Sequence, residues 1–458
     1  MRAGIAVVGG GLAGISAALR CADAGHPVTL LEARPRLGGL ASSFRRGDLD
    51  VDNGQHVFLR CCTAYRELLD RLGVADRVTL QDRLDIPVRA PGQRPGRLRR
   101  TGLPAPLHLA GALLRHRPLP PVDRLRLVRA ALALGRVDPA AASTDATSFG
   151  EWLAAHGQGE RAITALWDLV GIATLNARAD DASLALAATV FQLGLLTSAE
   201  AGDIGWSAVP LGQLHGDAAA RALDAAGVEV KTSTKVRGLD RSARSWQLTI
   251  GAEETIMADQ VICAVPPAAA DQLLPAGALD LPPGWAAGLG STPIVNAHVV
   301  YDRPVLDAPF VAGIDTPLQW VFDRTAASSL HRVHPAPAQY LAVSLSAADD
   351  LLKVPADTLR AELLPALAAL FPAAGSATVL DFFVTREPHA TFRPAPGSAA
   401  LRPPPRTLLD GLFVAGAWTA TGWPATMEGA VRSGNAAATA LLAHAARLAG
   451  RDDAGVAA

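Results

Sequence analysis

The sequence predicts an α/β protein in which a doubly wound, Rossmann-like nucleotide-binding domain carries a discontinuous α+β substrate domain. Three observations lead there. A glycine-rich turn separates an apolar strand from a helix at the start of the chain. An acidic residue closes the second strand. A further strand, polar turn and helix stand near the other end, at 411–437.

The opening stretch GIAVVGGGLAGISAALRCADAGHPVTLLEAR (4–34) contains G-x-G-x-x-G at Gly9, Gly11 and Gly14. Gly9 permits the tight turn, Gly11 lets a pyrophosphate approach the backbone, and Gly14 lets helix and strand pack closely. The helix opening at Leu12 and Ala13 offers unpaired N–H groups and a positive dipole end to phosphate. Gly25 ends that helix. VTLLE (28–32) is the second strand, and Glu32 stands where a carboxylate holds a ribose diol. No second G-x-G-x-x-G occurs, and GLGST (288–292) lacks the pattern, so no built-in site for a nicotinamide donor is visible.

Whole-chain properties narrow the class. The 458 residues carry a formal net charge of −1 and are 50% hydrophobic, enough for more than one core and with no electrostatic reason for nucleic acid as a partner. The cysteines Cys21, Cys61, Cys62 and Cys263 form no C-x-x-C, and no metal-ligand spacing is present. A reducing, cytoplasmic location is expected. The apolar stretch around 183–196 is interrupted by Gln192 and Gly194 and reads as a buried helix. Ser148 and Glu151 form a capping box before the helix EWLAAHG.

Residues 32–43, EARPRLGGLASS, resemble the E-x-R-x-x-G-G-x-x-S extension of FAD-binding flavoproteins in the amine oxidase and phytoene desaturase superfamily. The resemblance implies a glutathione-reductase-type FAD domain, with cofactor contacts from Ala33, Arg34, Arg36, Gly38, Gly39 and Leu40. GVEVKTSTKVRGL (227–239) resembles the strand whose backbone, at Val236, meets the adenine. QVICAVPP (260–267) resembles the strand returning to the flavin, at Ala264. GLFVAGAWTATGWPATMEGAVRSGNAA (411–437) resembles the flavin-side strand–turn–helix, implying contacts from Gly416, Ala417, Ala425, Thr426 and Met427. The superfamily often has an acid where this chain has Ala417. The implied division is 1–60, 205–265 and 405–446 for the FAD domain, and 61–204 and 266–404 for the substrate domain. Residues 447–458 are expected as a frayed tail.

The stretch VDNGQHVFLRCC (51–62) stands where the superfamily has D-x-G, and residues after that glycine lie close to the flavin. Gly54, Gln55 and His56 are therefore candidates to line the reaction cavity. The alternative is a polar turn in which Asp52 and Asn53 bond local backbone. Cys61 and Cys62 read as small buried residues.

VDNGQHVFLRCCTAY (51–65), TLNARADDASLALAATVFQLGLL (174–196), PLGQLHGDAA (210–219), VNAHVVYDRPV (295–305), LQWVFDR (318–324) and GWPATMEGAVRSG (422–434) resemble the hydroxysqualene dehydroxylases. The resemblance implies that hydroxysqualene is converted to squalene for hopanoid synthesis. The reaction would pass through an allylic cation quenched by flavin hydride, with an external reductase or reduced carrier as electron source. His56 is the first candidate for the acid. Gln55, Asn176 and Asp302 are further polar candidates. Asn176 could instead cap a turn, and Asp302 could serve the turn before Arg303-Pro304.

Residues 97–136 hold nine arginines against one acid, Asp123, among leucine-rich segments. This suits peripheral contact with the inner face of a membrane, from which an isoprenoid could enter, and equally a solvated basic face. Competing activities on the same fold are carotenoid desaturation and amine oxidation. A flavin-less prenyl-lipid carrier is the non-enzymatic alternative.

Overall fold

The structure is a computed structural model that describes residues 2–116, 118–243, 245–251 and 254–456. Its first sheet is built around the opening strand, Arg2–Val8. Val28–Leu31 and then Glu229–Lys231 flank one side in parallel. Glu254–Cys263 flanks the other side, also in parallel, and Leu412–Val414 pairs with the end of that strand. An antiparallel ribbon, Val236–Ser242 and Ser245–Ile250, attaches to the beginning of 254–263. The inner parallel strands are apolar on both faces because both are covered, whereas the edge strand Glu229–Lys231 is charged and partly exposed. Ile5, Val7, Leu30, Ile262 and Phe413 meet the first and last helices, whereas Ala6, Val8, Leu31, Cys263 and Val414 meet a second core.

Register aligns the carboxyl ends of the five parallel strands. Lys231, Leu31, Val8, Cys263 and Val414 are neighbours across the sheet. Glu32, Gly9, Ala264 and Ala415 therefore emerge on one edge, the edge where doubly wound sheets bind ligands.

The second sheet has seven strands, in the order Val379–Phe392, Ser291–Tyr301, Gln339–Ser346, Trp320–Asp323, Phe310–Gly313, Asp85–Arg89 and Gly96–Arg99. It is antiparallel except between 85–89 and 310–313. Period-two alternation gives its long strand two roles. Val295, Ala297 and Val299 pack under the helix Ala356–Leu370. Ile294, Asn296, His298 and Val300 point the other way, and Val300 packs with Leu49 and Val51 of the hairpin Ser43–Arg46/Leu49–Asp52. The helix Leu184–Phe191 is buried at every position, as its composition predicts. Ser148 and Glu151 form the expected capping box.

Two expectations change. The last helix continues through Val456 instead of fraying at 447, since the Ala- and Leu-rich run 436–449 is strongly helix-forming across that point; residues 457–458 lie outside the described residues. Asp52 does not serve a local turn. Its carboxylate accepts from Ser43 Oγ at 2.7 Å, Leu211 N at 2.9 Å and Arg324 Nη2 at 2.6 Å. Both charges of the Asp52–Arg324 pair are buried, and they join segments 272 residues apart. Removing one partner leaves the other charged and desolvated. Asp52→Ala is expected to cost about 3–5 kcal/mol in denaturant unfolding, against less than about 1 kcal/mol for removal of an exposed pair such as Arg45–Asp48.

Candidate active site

The nucleotide cradle forms where the strand ends converge. Gly9 has φ +110°, and a side chain there would press on Ala264 O. The helix Leu12–Asp23 follows, with no side-chain cap and no acid in its first turn, so the opening amides at Leu12 and Ala13 remain available to an anion. Glu32 Oε2 accepts from Gly10 N at 2.6 Å and Oε1 from Arg34 N at 2.7 Å. Those bonds fix the carboxylate, and its remaining lone pairs can take a ribose diol. Ser233 N and Thr234 N bond Arg34 O and Glu32 O, which brings the chain before Val236 to the same end. Ala33, Arg34 and Arg36 are exposed beside it. Gly38 N bonds Gly10 O at 2.9 Å, laying the Gly38–Gly39 turn over the glycine loop. A Cβ on Gly11 would meet nothing within 4 Å except Gly39 Cα at 3.8 Å, so the phosphate space is open. These residues fit a dinucleotide such as FAD.

The far wall is the loop 416–426. Gly416 N bonds Ser433 Oγ, and Thr426 Oγ1 accepts from Gly429 N at the opening of the last helix, which begins at Met427 as expected. Arg402 was not apparent from sequence. It is buried, and its guanidinium donates to the carbonyls of Ala417, Trp418, Thr419 and Trp423, clamping this loop from behind. Burial lowers its pKa to about 10.

Of Gly54, Gln55 and His56, only Gln55 lines a large cavity; Gly54 and His56 are its chain neighbours. His56 Nδ1 lies 3.0 Å from Gly54 O, which makes Nδ1 the protonated nitrogen and leaves Nε2 as acceptor. Burial lowers the His56 pKa, with partial compensation from the Gly54 carbonyl. Gln55 lines the cavity, and its Nε2 is buried without a partner. Asn296 is fully buried, and neither Oδ1 nor Nδ2 has a partner. A Cβ built on Gly54 would lie 3.8 Å from Asn296 Nδ2 and 3.5 Å from His56 Cε1, so the amide and the imidazole flank the same residue. Unpaired buried amides are costly and call for a ligand atom. The sequence carried a signal for Asn296: one amide inside the apolar strand run STPIVNAHVVY.

The cavity extends away from this polar end. Its wall includes Leu84, Ile86, Leu98, Leu113, Leu127, Trp167, Phe191, Phe310, Trp320 and Phe322; the polar side chains on it are Gln55, Thr174, Ser344 and Ser346. Among the described residues, no charged side chain lines it.

Two proposed site residues lie elsewhere. Asn176 is a structural clasp in the left-handed conformation. Its Nδ2 donates to Thr292 O and Thr391 Oγ1, and its Oδ1 accepts from Ala347 N. Asp302 lies at the far end of the long strand, bonded to Arg303 and to Thr378 N. Six residues of strand separate it from Asn296, roughly 20 Å. Both were plausible because a polar residue beside an apolar run reads alike whether it faces a cavity or a neighbouring loop.

An open-edged doubly wound sheet, a glycine cradle and an apolar chamber define a flavin-dependent oxidoreductase. Residues 12–442 match the model of the flavin containing amine oxidoreductases, and the chain belongs to that family. It is 30% identical to the hydroxysqualene dehydroxylase of Rhodopseudomonas palustris, over 95% of this chain and 98% of that protein. It is 27% identical to the zeta-carotene desaturase of Synechocystis, over 97% and 98% respectively. Among solved structures, cyclohexylamine oxidase from Brevibacterium oxydans superposes with a TM-score of 0.71 at 20% identity, covering 96% of this chain and 99% of that one, a likeness of fold.

Two outcomes test this geometry. Gly11 has ordinary extended backbone and open space above it, so Gly11→Val should keep the circular dichroism of the apoprotein while abolishing flavin absorbance. Gly14→Val should instead fail to fold, because its Cβ would overlap Gly9 O. Burial also lowers the pKa of His215 to about 4 and of His298 to about 3, below the ordinary 6.5. The unfolded chain therefore binds more protons below pH 6.5. Stability present above pH 6.5 should fall on acidification towards pH 4, by roughly tenfold in the folding equilibrium per pH unit per imidazole. Melting at stepped pH reads this slope.

Proposed function

We propose that this oxidoreductase removes the allylic hydroxyl of hydroxysqualene to give squalene, a supply step for hopanoid synthesis. The observation carrying this reading is the cavity: a long apolar wall that includes the unpaired amide of Gln55, with the unpaired Asn296 amide next to the adjoining Gly54. A hydrocarbon with one hydroxyl complements that arrangement, and the hydroxysqualene dehydroxylase relatives support it. In the overall exchange the C–O bond breaks, a C–H bond forms, and the oxygen leaves as water after gaining one proton.

Bound reduced flavin supplies the hydride. The chain's own residues orient and protonate. Gln55 Nε2 donates to the hydroxyl oxygen, and Asn296 is within the same polar end to hold that oxygen or the departing water. His56 delivers the proton once its own Nε2 is protonated, which its lowered pKa confines to acid pH. The apolar wall keeps water from capturing the cation. Electrons reach the flavin from an external reductase or reduced carrier.

Polyene desaturation is the second reading, favoured by the same apolar wall and by the desaturase relatives. Amine oxidation is disfavoured, since no acid lines the cavity to hold an ammonium ion and Lys353 is exposed elsewhere.

The deciding experiment is an anaerobic single turnover. Chemically reduced holoprotein mixed with hydroxysqualene should reoxidise its flavin in step with squalene formation; flavin that stays reduced with no squalene overturns the reading. In the same assay the rate should rise as pH falls below 6.5, and His56→Ala should flatten that rise while retaining flavin. Asn296→Leu should lower turnover by roughly tenfold or more, equivalent to one lost hydrogen bond to a buried ligand atom, with an unchanged flavin content.

A further inference from the structure

We infer that the helical roof of the cavity, within residues 103–136, is a docking face for an anionic lipid bilayer. The inference stands on the surface itself and does not require the dehydroxylase reading.

Six of the twelve exposed large apolar side chains among the described residues fall here: Leu103, Leu107, Leu114, Val122, Leu125 and Leu132. They are ordered, not scattered. On the helix Pro121–Leu134, Val122, Leu125 and Leu132 are 60%, 55% and 47% exposed, and Arg129 completes their three-and-four spacing. The opposite stripe, Leu127, Ala130 and Leu134, is buried, and Leu127 and Ala131 reach the cavity wall. The preceding turn divides the same way: Leu107 and Leu114 face outward, whereas Leu109, Ala112 and Leu113 line the cavity. One thin helical layer thus has an apolar ligand chamber beneath it and an apolar outer face.

Charge selects the occupant. Arg115, Arg126, Arg129 and Arg136 are exposed around the leucines. Among the described residues only Arg126 of these four has an ion-pair partner, Asp123 at 3.2 Å; Arg117 lies outside the described residues. Leucines flanked by unpaired arginines match the acyl and phosphate levels of an anionic monolayer. No helix among the described residues is long and apolar enough to cross a membrane, so the contact is peripheral.

Flotation of the flavin-loaded protein with phosphatidylcholine vesicles, with and without phosphatidylglycerol, tests this. The protein should float with phosphatidylglycerol vesicles, and added salt should release it. Arg129→Gln should weaken binding about fivefold. Leu125→Asp combined with Leu132→Asp should abolish it with flavin absorbance unchanged, whereas Leu408→Asp, exposed on another face, should not. Protein that stays at the bottom with every lipid, as it would if this face served a partner protein, overturns the inference. So does equal flotation of the double variant, or salt-insensitive binding to phosphatidylcholine alone.

Discussion

At Gly434 no side chain fits between the first helix and the last. A Cβ on Gly434 would overlap Ala13 O and Ser16 Oγ, and a Cβ on Gly14 would overlap Gly9 O. The helix Leu12–Asp23 is therefore wedged between the glycine turn below it and the C-terminal helix beside it. Ser16 Oγ bonds Ala13 O at 3.0 Å and Val431 O at 3.3 Å across the crossing. This contact brings the two ends of the chain to one place, so that the loop holding phosphates and the loop 416–426 become two walls of one groove. Everything between leaves the first sheet and must return to it.

Buried charge governs those returns. Glu428, in the first turn of the last helix, accepts from Ala64 N and Tyr65 N and so caps the helix Thr63–Arg71, which follows the His56 segment. Asp52 fixes the hairpin before that segment to Arg324 of the second sheet. Asp203 is fully buried and receives Arg60, Arg100 and Leu84 N, tying three stretches of cavity wall together. Each carboxylate is satisfied by partners far away in sequence, the condition under which a buried charge is tolerated. The polar end of the cavity is thus held by anchors that are themselves outside it.

This explains what the sequence disclosed and what it withheld. The cradle was legible because its requirements are local: Gly9, Gly11 and Gly14 answer to one turn, and Glu32 closes one strand. Gln55, which lines the cavity, was singled out by its position after Gly54. Arg402, Glu428 and Asn296 were not, because an arginine before three prolines, an acid opening a helix and an amide in a strand acquire meaning only from residues brought near by folding. Asn176 and Asp302 failed for the mirrored reason: each is polar beside an apolar run, yet one is saturated by Thr292, Thr391 and Ala347, and the other by Arg303 and Thr378.

The composition of the cavity wall bears on the chemistry. Aromatic residues make up only 5% of the chain, yet Trp167, Phe191, Phe310, Trp320 and Phe322 all face this one space. Phe310 meets Trp320 and Phe322 at 5.9 and 6.1 Å between ring centroids, and Trp167 meets Phe191 at 5.1 Å. Such rings present negative faces that attract a cation without bonding to it. A carboxylate would stabilise a cation more strongly, but it is also a nucleophile and brings water with it. A polyene needs neither amide nor imidazole at the end of its tunnel. A substrate that must lose a hydroxyl needs both a polar terminus to take the oxygen and a non-nucleophilic wall to tolerate the charge left on carbon. The unpaired amide of Gln55 matches the first requirement and the rings match the second, and that combination favours the proposed dehydroxylation over desaturation.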